Sequence, residues 1–505
     1  MATATYSLLV DWDNDGTFIS AGEDVTARTL HVEFSRGRDV DSQLTGRSVA
    51  GSLQAVLNNE SGDYNSYNAT GTLYGSLLPG RLIRLVGSGT QTMWQGYIDR
   101  ITPLPSVKGL NTARLEAIGP LGFLNQKEVS LNTYANIDTG SAVDLVLSEA
   151  GWQTGTAYRD VDAGKTTMVR FWTDRKRTIE ALREIEETEA GFVRESAAGK
   201  IVFENRHRRL TSPYTTSQVT FTDDPSGTLV LQGMTQEDPL PFIFTEFVSM
   251  VEPYTLGSTG TLWVLNQTGT LSPSIAPNGG TRVFVARYPG PTASADHIGV
   301  DSWVTPSATA DWNVTTDQQG TGTNLNGSCT VSATSYQNEL RVVLTNNAAQ
   351  PGYVTLLQAR GVPLKRLDKV LIGAESTGTA YGKRTFPSKA KFMPNADEGQ
   401  YWADWNLSIY QTATVRLSVT FIANQGALAL NHAAARDVSD RVTVVATGTT
   451  SRLGVNGDYF IEALKHVIEG DRRHTVTWYL SEARQFSDAW VLDVSALGTT
   501  TRLGY

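Results

Sequence analysis

Cysteine is almost absent: Cys329 is the only one in 505 residues. No internal disulfide can form, and no cysteine-based zinc site exists. No apolar run approaches the roughly 20 residues that a membrane-spanning helix needs. The start, MATATYSLLVDWDNDG, lacks a basic region followed by an apolar one, so no signal peptide is expected. An excess of positive charge is missing too, because 42 basic and 51 acidic residues leave a net charge of −9. Such a surface has no general attraction for DNA, which is held by cations that displace phosphate counterions. It suits a passage that DNA crosses without sticking, as it suits many soluble proteins. No segment repeats at a fixed period of 20–50 residues, which argues against a fibre or a solenoid.

What is present describes a folded, mostly β protein. The chain is too long for one ordinary core, so two to four domains are expected. A composition 40% hydrophobic and 18% charged belongs to a folded chain. Eleven Trp and 46 Gly without a fixed period favour strands joined by tight turns.

Residues 1–125 read as consecutive strands, a barrel or a sandwich. Ser7–Val10 leads into the acidic turn Asp11–Gly16, and Leu53, Ala55 and Leu57 alternate on one face. Arg81–Val86 and Met93–Ile98 form a hairpin. Residues 126–212 change period. Val143, Val146, Leu147 and Ala150 make a helical stripe that ends at Gly151, and a second helix spans Arg175 to Ala190 with Gly191 as its stop. Ile179, Leu182 and Ile185 point inward from it, while Glu180, Arg183, Glu184 and Glu187 face water. A hairpin of 191–195 with 200–204 completes a small α+β module. Strands return over 213–262, with the Pro-broken run Asp238–Pro241 inside. Residues 263–365, rich in Thr, Ser, Asn and Gly, read as a β-sandwich inserted in or lying beside that unit. A helix over 397–411 carries Tyr401, Trp402, Trp405 and Ile409. Strands follow at 414–419, 441–445 and 475–480. Asp458–Ile468 fits helix or strand, and the turn Glu469-Gly470-Asp471 favours the strand.

The order of these parts resembles the tail-hub proteins of long-tailed bacteriophages, often labelled minor tail proteins and related to the baseplate hub of contractile phages. Four stretches carry the resemblance: Leu9–Gly16 followed by Glu23–Thr26; Trp94–Asp99; the helix and hairpin from Glu180 to Arg206; and Asp440 through Trp478-Tyr479-Leu480 to Trp490-Val491-Leu492. Tyr381–Arg384 resembles a further hub element. No one motif is specific; their order over nearly the whole chain is. The family implies a homotrimer in which each subunit supplies two tail-tube-like β-barrels, so that three copies make a ring of six. The first barrel would be 1–125, and the second would join 213–262 to 366–505, with 263–365 as an accessory β-sandwich. The implied partners are the tail tube or distal tail protein, other tail-tip proteins, the tape-measure protein, DNA in transit, and the host surface. The implied location is the virion tail, after synthesis in the host bacterial cytoplasm.

The candidate chemistry is thin. Asp11-x-Asp13-x-Asp15-Gly16 matches the first half of a calcium loop, whose alternate carboxylates converge while Gly allows the bend. The twelfth position, which wants a bidentate acid, is Gly22, with Glu23 and Asp24 just beyond. The competing reading, an acidic hairpin turn, needs only Asn14-Asp15-Gly16 and is preferred. No other metal or cofactor is expected. Ala163–Thr166 looks like half a phosphate loop, but Arg159 stands where the first glycine belongs. Histidines at 31, 207, 297, 432, 466 and 474 show no HExxH, and there is no Gly-x-Ser-x-Gly elbow. Cys329 reads as part of a Ser/Thr/Gly loop. Glu184, Glu186, Glu187 and Glu189 read as a helix's solvent face and not as a glycosidase pair. Arg175–Arg177 and Arg206–Arg209 read as exposed charge, and Trp402 with Trp405 as core or subunit contacts before a sugar platform. The expectation is therefore a structural hub and not an enzyme. The alternative is a receptor- or carbohydrate-binding tail protein acting through 263–365, and a third reading is a wall-degrading enzyme.

Overall fold

A computed structural model describes residues 6–39, 47–87, 90–237, 240–265, 272–377, 380–388, 390–411, 415–448, 453–469, 473–483, 489–490 and 502–503. The first unit has six strands: β1 (Ser7–Val10), β2 (Thr29–Arg38), β3 (Ser48–Asn58), β4 (Leu82–Val86), β5 (Thr92–Leu104) and β6 (Thr112–Ile118). Strict alternation builds them: Leu53, Ala55 and Leu57 of β3 turn inward with Leu115 of β6, Phe34 of β2 and Trp94 of β5. A short helix, α1 (Pro120–Leu124), follows.

The module after it pairs β7 (Glu128–Asp138) with the later β9 (Thr167–Arg177). Between and after them come α2 (Thr139–Glu149), β8 (Arg159–Val161), α3 (Thr178–Glu189), β10 (Phe192–Glu195) and β11 (Ile201–Glu204). Asp138 caps α2 through the Ser141 N–H. The second helix starts at Thr178, because Arg175–Arg177 belong to β9. Its left-handed stop is Ala190 (φ 54°), one residue before the expected Gly191.

Next come β12 (Thr220–Thr222), β13 (Gly233–Glu237) and β14 (Glu246–Val251). Asp238 and Pro239 of the Pro-broken run lie outside the described residues, as do Gly470, Asp471, Val491 and Leu492. The Thr/Ser-rich stretch holds β15 (Tyr254–Leu256), β16 (Gly260–Val264), β17 (Ser274–Ile275), β18 (Gly280–Arg287), β19 (His297–Trp303), β20 (Trp312–Thr315), β21 (Cys329–Ser335), β22 (Glu339–Asn346) and the long β23 (Gly352–Arg366). β15, β16, β17, β19 and β20 all pair with β23, while β18, β22 and β21 form a second sheet over a shared core. β15 and β16 therefore join this stretch to chain that precedes residue 263. Cys329 is not in a loop: it opens β21 and is buried.

β24 (Val370–Glu375) and β25 (Thr385–Pro387) flank β14 beneath α4 (Ala396–Tyr410), where Trp402 packs on Phe247 and Phe386. Trp402 is buried, Trp405 half-buried and Tyr401 exposed. The end of the chain supplies β26 (Arg416–Ile422), α5 (Ala427–Ala435), β27 (Arg441–Ala446), β28 (Val455–Ile468) and β29 (His474–Glu482). Asp458–Ile468 is strand, as the following turn suggested.

Twelve of these strands form one sheet, and its two halves repeat each other. The first half runs β1-β4-β5-β6-β3-β2 and the second β12-β27-β28-β29-β26-β13. Numbered by their own chain order, both read 1-4-5-6-3-2. One pairing differs in sense: β1–β4 is antiparallel and β12–β27 parallel. Local details repeat as well. β5 has a register shift between Ile98 and Arg100, and β28 has one between Ile461 and Ala463. Before β4, Gly80 (φ 83°) donates its N–H to Ile98 O; before β27, Ser439 (φ 76°) donates to Ile461 O, each at 2.7 Å. Inward Leu53, Ala55 and Leu57 correspond to Leu417, Val419 and Phe421. The halves join edge to edge through β2 and β28, from Val32 opposite Ile468 to Gly37 opposite Ala463. Among the described residues no pairing closes either half into a ring.

Candidate functional site

The fold exposes one extended surface. Eight neighbouring strands, β5-β6-β3-β2-β28-β29-β26-β13, turn their apolar side chains to the core and their alternate residues the other way. One row across this face reads Arg100, Glu116, Gln54 and Glu33. The next reads Ser52, Ser35, Lys465, Thr477 and Thr420. Cross-strand contacts tie the rows: Ser35 to Ser52 (3.1 Å), Thr420 to Thr477 (3.0 Å) and Thr235 to Ser418 (2.6 Å). Lys465 meets Glu33 at 2.6 Å, and Arg100 and Arg114 flank Glu116 at 3.7 and 3.8 Å. Hydroxyls and mutually paired charges dominate, so among the described residues the face offers no run of free cations.

The two halves are locked by buried charge from three parts of the chain. Arg36 and Arg38 come from β2; Arg194, Glu204 and Arg209 from the α+β module; Asp437 and Glu462 from the second half. Arg36 and Arg194 both reach Asp437 at 3.3 Å, and Arg194 meets Glu204 at 2.7 Å. Arg38 and Arg209 share Glu462 at 3.0 and 2.6 Å. The Ser439 hydroxyl donates to Glu204 at 2.6 Å, which gives its left-handed backbone a use. Burial alone would raise the Glu462 carboxyl, but Arg209 and Arg38 hold it down at about 2. Among the described residues Glu195 forms no ion pair: burial pushes it up to about 7, against N–H bonds from Leu121 and Gly51 and the nearby charge of Arg36. Beside the seam, His466 stacks on Phe34 (4.4 Å) and bonds His474 (2.9 Å), which bonds the Tyr6 hydroxyl (2.7 Å). Burial holds His466 well below the ordinary histidine range and His474 down to about 3, so both stay neutral.

Two expectations fail here. Glu186 and Glu189 are not on a solvent face; both are buried, and Glu184 and Glu187 are half-buried in ion pairs with Lys176 and Arg47. Glu189 accepts N–H bonds from Lys165 and Thr166 and the Thr139 hydroxyl at 2.7 Å. The Arg206–Arg209 run is not exposed charge either: Arg206 pairs with Glu398, Arg208 with Asp160 and Asp162, and Arg209 with Glu462. Arg175 fits the expectation better, being exposed although paired with Glu339. Sequence reasoning missed α5 and the Arg–carboxylate junction, whose members lie too far apart in the chain to form a motif.

Asp11, Asp13 and Asp15 do come together, with one carboxylate oxygen from each lying within 4.8 Å of the others. Asp11 accepts the N–H groups of Asp15 (3.1 Å) and Gly16 (2.9 Å), which folds the turn.

Among the described residues, both ends of this face lack a strand partner along all or part of their length. Among the described residues β13 pairs only with β26, so its other edge has no strand partner. β4 covers β5 up to Tyr97, and Arg100–Leu104 pairs only with β6. No helix among the described residues is long and apolar enough to cross a membrane.

No family model matches this sequence, and no curated protein is similar to it. Solved structures do share its fold. The tail protein from Neisseria meningitidis MC58 superposes with a TM-score of 0.52 at 10% identity, over 96% of this chain and 99% of that one. The 43 kDa tail protein of prophage MuSo2 from Shewanella oneidensis gives 0.50 at 10% identity, again over 96% and 99%. At that identity the likeness is one of fold: a mainly β architecture shared with these tail proteins along nearly its whole length.

Proposed function

We propose that this chain is a structural subunit of a phage tail tip or baseplate hub, and that three copies close a ring of six β units around a passage for DNA. The ring would join a sixfold tail tube to threefold tip proteins. The observation that carries this reading is the repeat: two six-strand units of one topology, fused through β2 and β28. The fold shared with tail proteins supports it.

The repeat also supports one particular joint between copies. β13 stands in the second half where β2 stands in the first, and Arg100–Leu104 of β5 corresponds to Ala463–Val467 of β28. Inside the chain β28 covers β2; between chains, β5 of one copy would cover β13 of the next. The equivalences set Thr235 opposite Leu104 and Glu237 opposite Thr102. Repeating one heterologous contact closes a ring when the rotation allows it, and it removes the open edges that would otherwise seed aggregation. The polar face would line the passage, where paired charges give phosphates little to hold. The partners proposed are the tail tube or distal tail protein, the tape-measure protein and other tip proteins, with the protein residing in the virion tail and catalysing no reaction.

The test is the native mass of the full chain, combined with oxidation of a Leu104→Cys/Thr235→Cys double variant. Cys329 is buried, so background cross-linking should be low. Covalent dimers and trimers are expected, with few from the misregistered Thr102→Cys/Thr235→Cys pair. A monomer at every concentration would overturn the ring, and an unlinked trimer would overturn this joint alone.

A further inference from the structure

The loop after β1 holds more acid than a turn needs. Its ends are fixed by strand-like pairing: Val10 N–H donates to Glu23 O (2.8 Å), and Val25 N–H to Leu8 O (3.0 Å). Gly16 (φ 84°) and Gly22 (φ 88°) turn the chain between them, and Trp12 Nε1 donates to Gly22 O at 3.1 Å. This closure brings Glu23 back beside the end of β1, next to where Asp11 begins the loop. Glu23 is 1% exposed; one carboxylate oxygen accepts the Ser20 N–H at 2.8 Å, while the other is buried without a hydrogen-bond partner. Among the described residues no Lys or Arg forms an ion pair with any of the four acids. The Asp13 carboxylate lies beside that of Glu23. A buried acceptor facing like charge is costly to leave unsatisfied, and a cation would satisfy it.

We propose that this loop is a calcium site in which Asp11, Asp13 and Asp15 supply oxygens from one side and Glu23 closes the other. The spacing one, three, five with glycine at six follows the calcium-loop pattern, but the closing acid stands at thirteen and not twelve. Gly22 absorbs the extra residue, and paired strands hold the ends in place of flanking helices. Calcium suits the set because it accepts six to eight oxygens in adaptable geometry, whereas magnesium demands a small octahedron. The bound ion would fix the loop to the outer strand β1 independently of any ring.

The test is calcium titration of the full chain by calorimetry, with terbium emission sensitised by the buried Trp12 as a second readout. Saturable binding, displacement of terbium by calcium and a raised thermal midpoint are expected. Glu23→Gln should weaken binding at least tenfold; Asp13→Asn, at an exposed position that does not threaten folding, should do likewise. No binding up to about 10 mM calcium, beyond the ~10⁻⁴–10⁻³ M of weak extracellular sites, would overturn the proposal. So would affinity left unchanged in Glu23→Gln and Asp13→Asn.

Discussion

Arg209 and Glu462, 253 residues apart in the chain, meet through two parallel hydrogen bonds of 2.6 and 2.9 Å in the protein's interior. The pair ties the α+β module to the bulge of β28, and Arg38 of β2 joins it from the first half. A bidentate guanidinium–carboxylate contact satisfies both charges at once. Removing Glu462 leaves two guanidiniums, Arg209 and Arg38, without their shared carboxylate, and taking one partner from a buried pair costs roughly 3–5 kcal/mol. Glu462→Leu should therefore lower the urea midpoint sharply. Arg209→Met, which leaves Glu462 paired with Arg38, should lower it less, and midpoints of the two variants compared with the parent would show it.

Stability should fall in acid, starting earlier than carboxylates alone would cause. His474 is held down to about 3 in the folded protein, whereas an unfolded histidine takes up its proton near pH 6.5. Below about pH 6.5 the unfolded chain binds a proton that the folded one refuses, so stability drains as pH drops toward 3. Glu462, held at about 2, adds to the loss below pH ~4.3, where unfolded glutamate protonates. One such group changes stability by at most about 1.4 kcal/mol per pH unit. Urea midpoints at pH 7.5 and 5.0 should differ in the parent and differ less in His474→Gln.

Gly37 lies where β2 passes closest to β28. Its φ is 122°, and a Cβ there would sit 2.5 Å from both Ala463 Cα and Glu462 O. Those neighbours are backbone and cannot step aside. Gly37→Ala should destabilise by about 1–3 kcal/mol and raise hydrogen exchange at 32–37 and 463–468, leaving β26 and β29 protected.

Glu189 holds the Lys165–Thr166 turn against the start of α2. Glu189→Ala leaves three N–H groups, those of Lys165, Thr166 and Arg206, and the Thr139 hydroxyl without their acceptor, at about 1–3 kcal/mol for each that stays dry. Thermal unfolding should drop accordingly. Wild-type stability in this variant would mean that water replaces the carboxylate.

Much of the fold was legible because period-two alternation and helical stripes are local signals. Leu53–Leu57, the Val143–Ala150 stripe and the strand 475–480 all stand where their patterns put them. Misreadings came where tertiary contacts override a residue's usual preference. Glu186 and Glu189 have the composition of a wet helix face, yet neighbouring N–H groups and Arg183 take them inside. Arg206–Arg209 looks like surface charge until carboxylates from three distant segments surround it. The acid cluster was half visible: Asp11, Asp13 and Asp15 follow a spacing, but Glu23 joins them only because Val10 pairs with it.

By itself the sequence determined that this is a mainly β chain without disulfides, with a helical module in the middle and an acidic turn after its first strand. Each follows from residues near one another, whose periodicity and turn chemistry act over a few positions. Only the tertiary structure decided that the two ends of the chain are versions of one six-strand unit. Corresponding core positions such as Ala55 and Val419, or Leu115 and Trp478, share burial and register but not identity. A sheet needs only apolar bulk of fitting shape at those places, so the repeat is kept in backbone pairing and not in residue type.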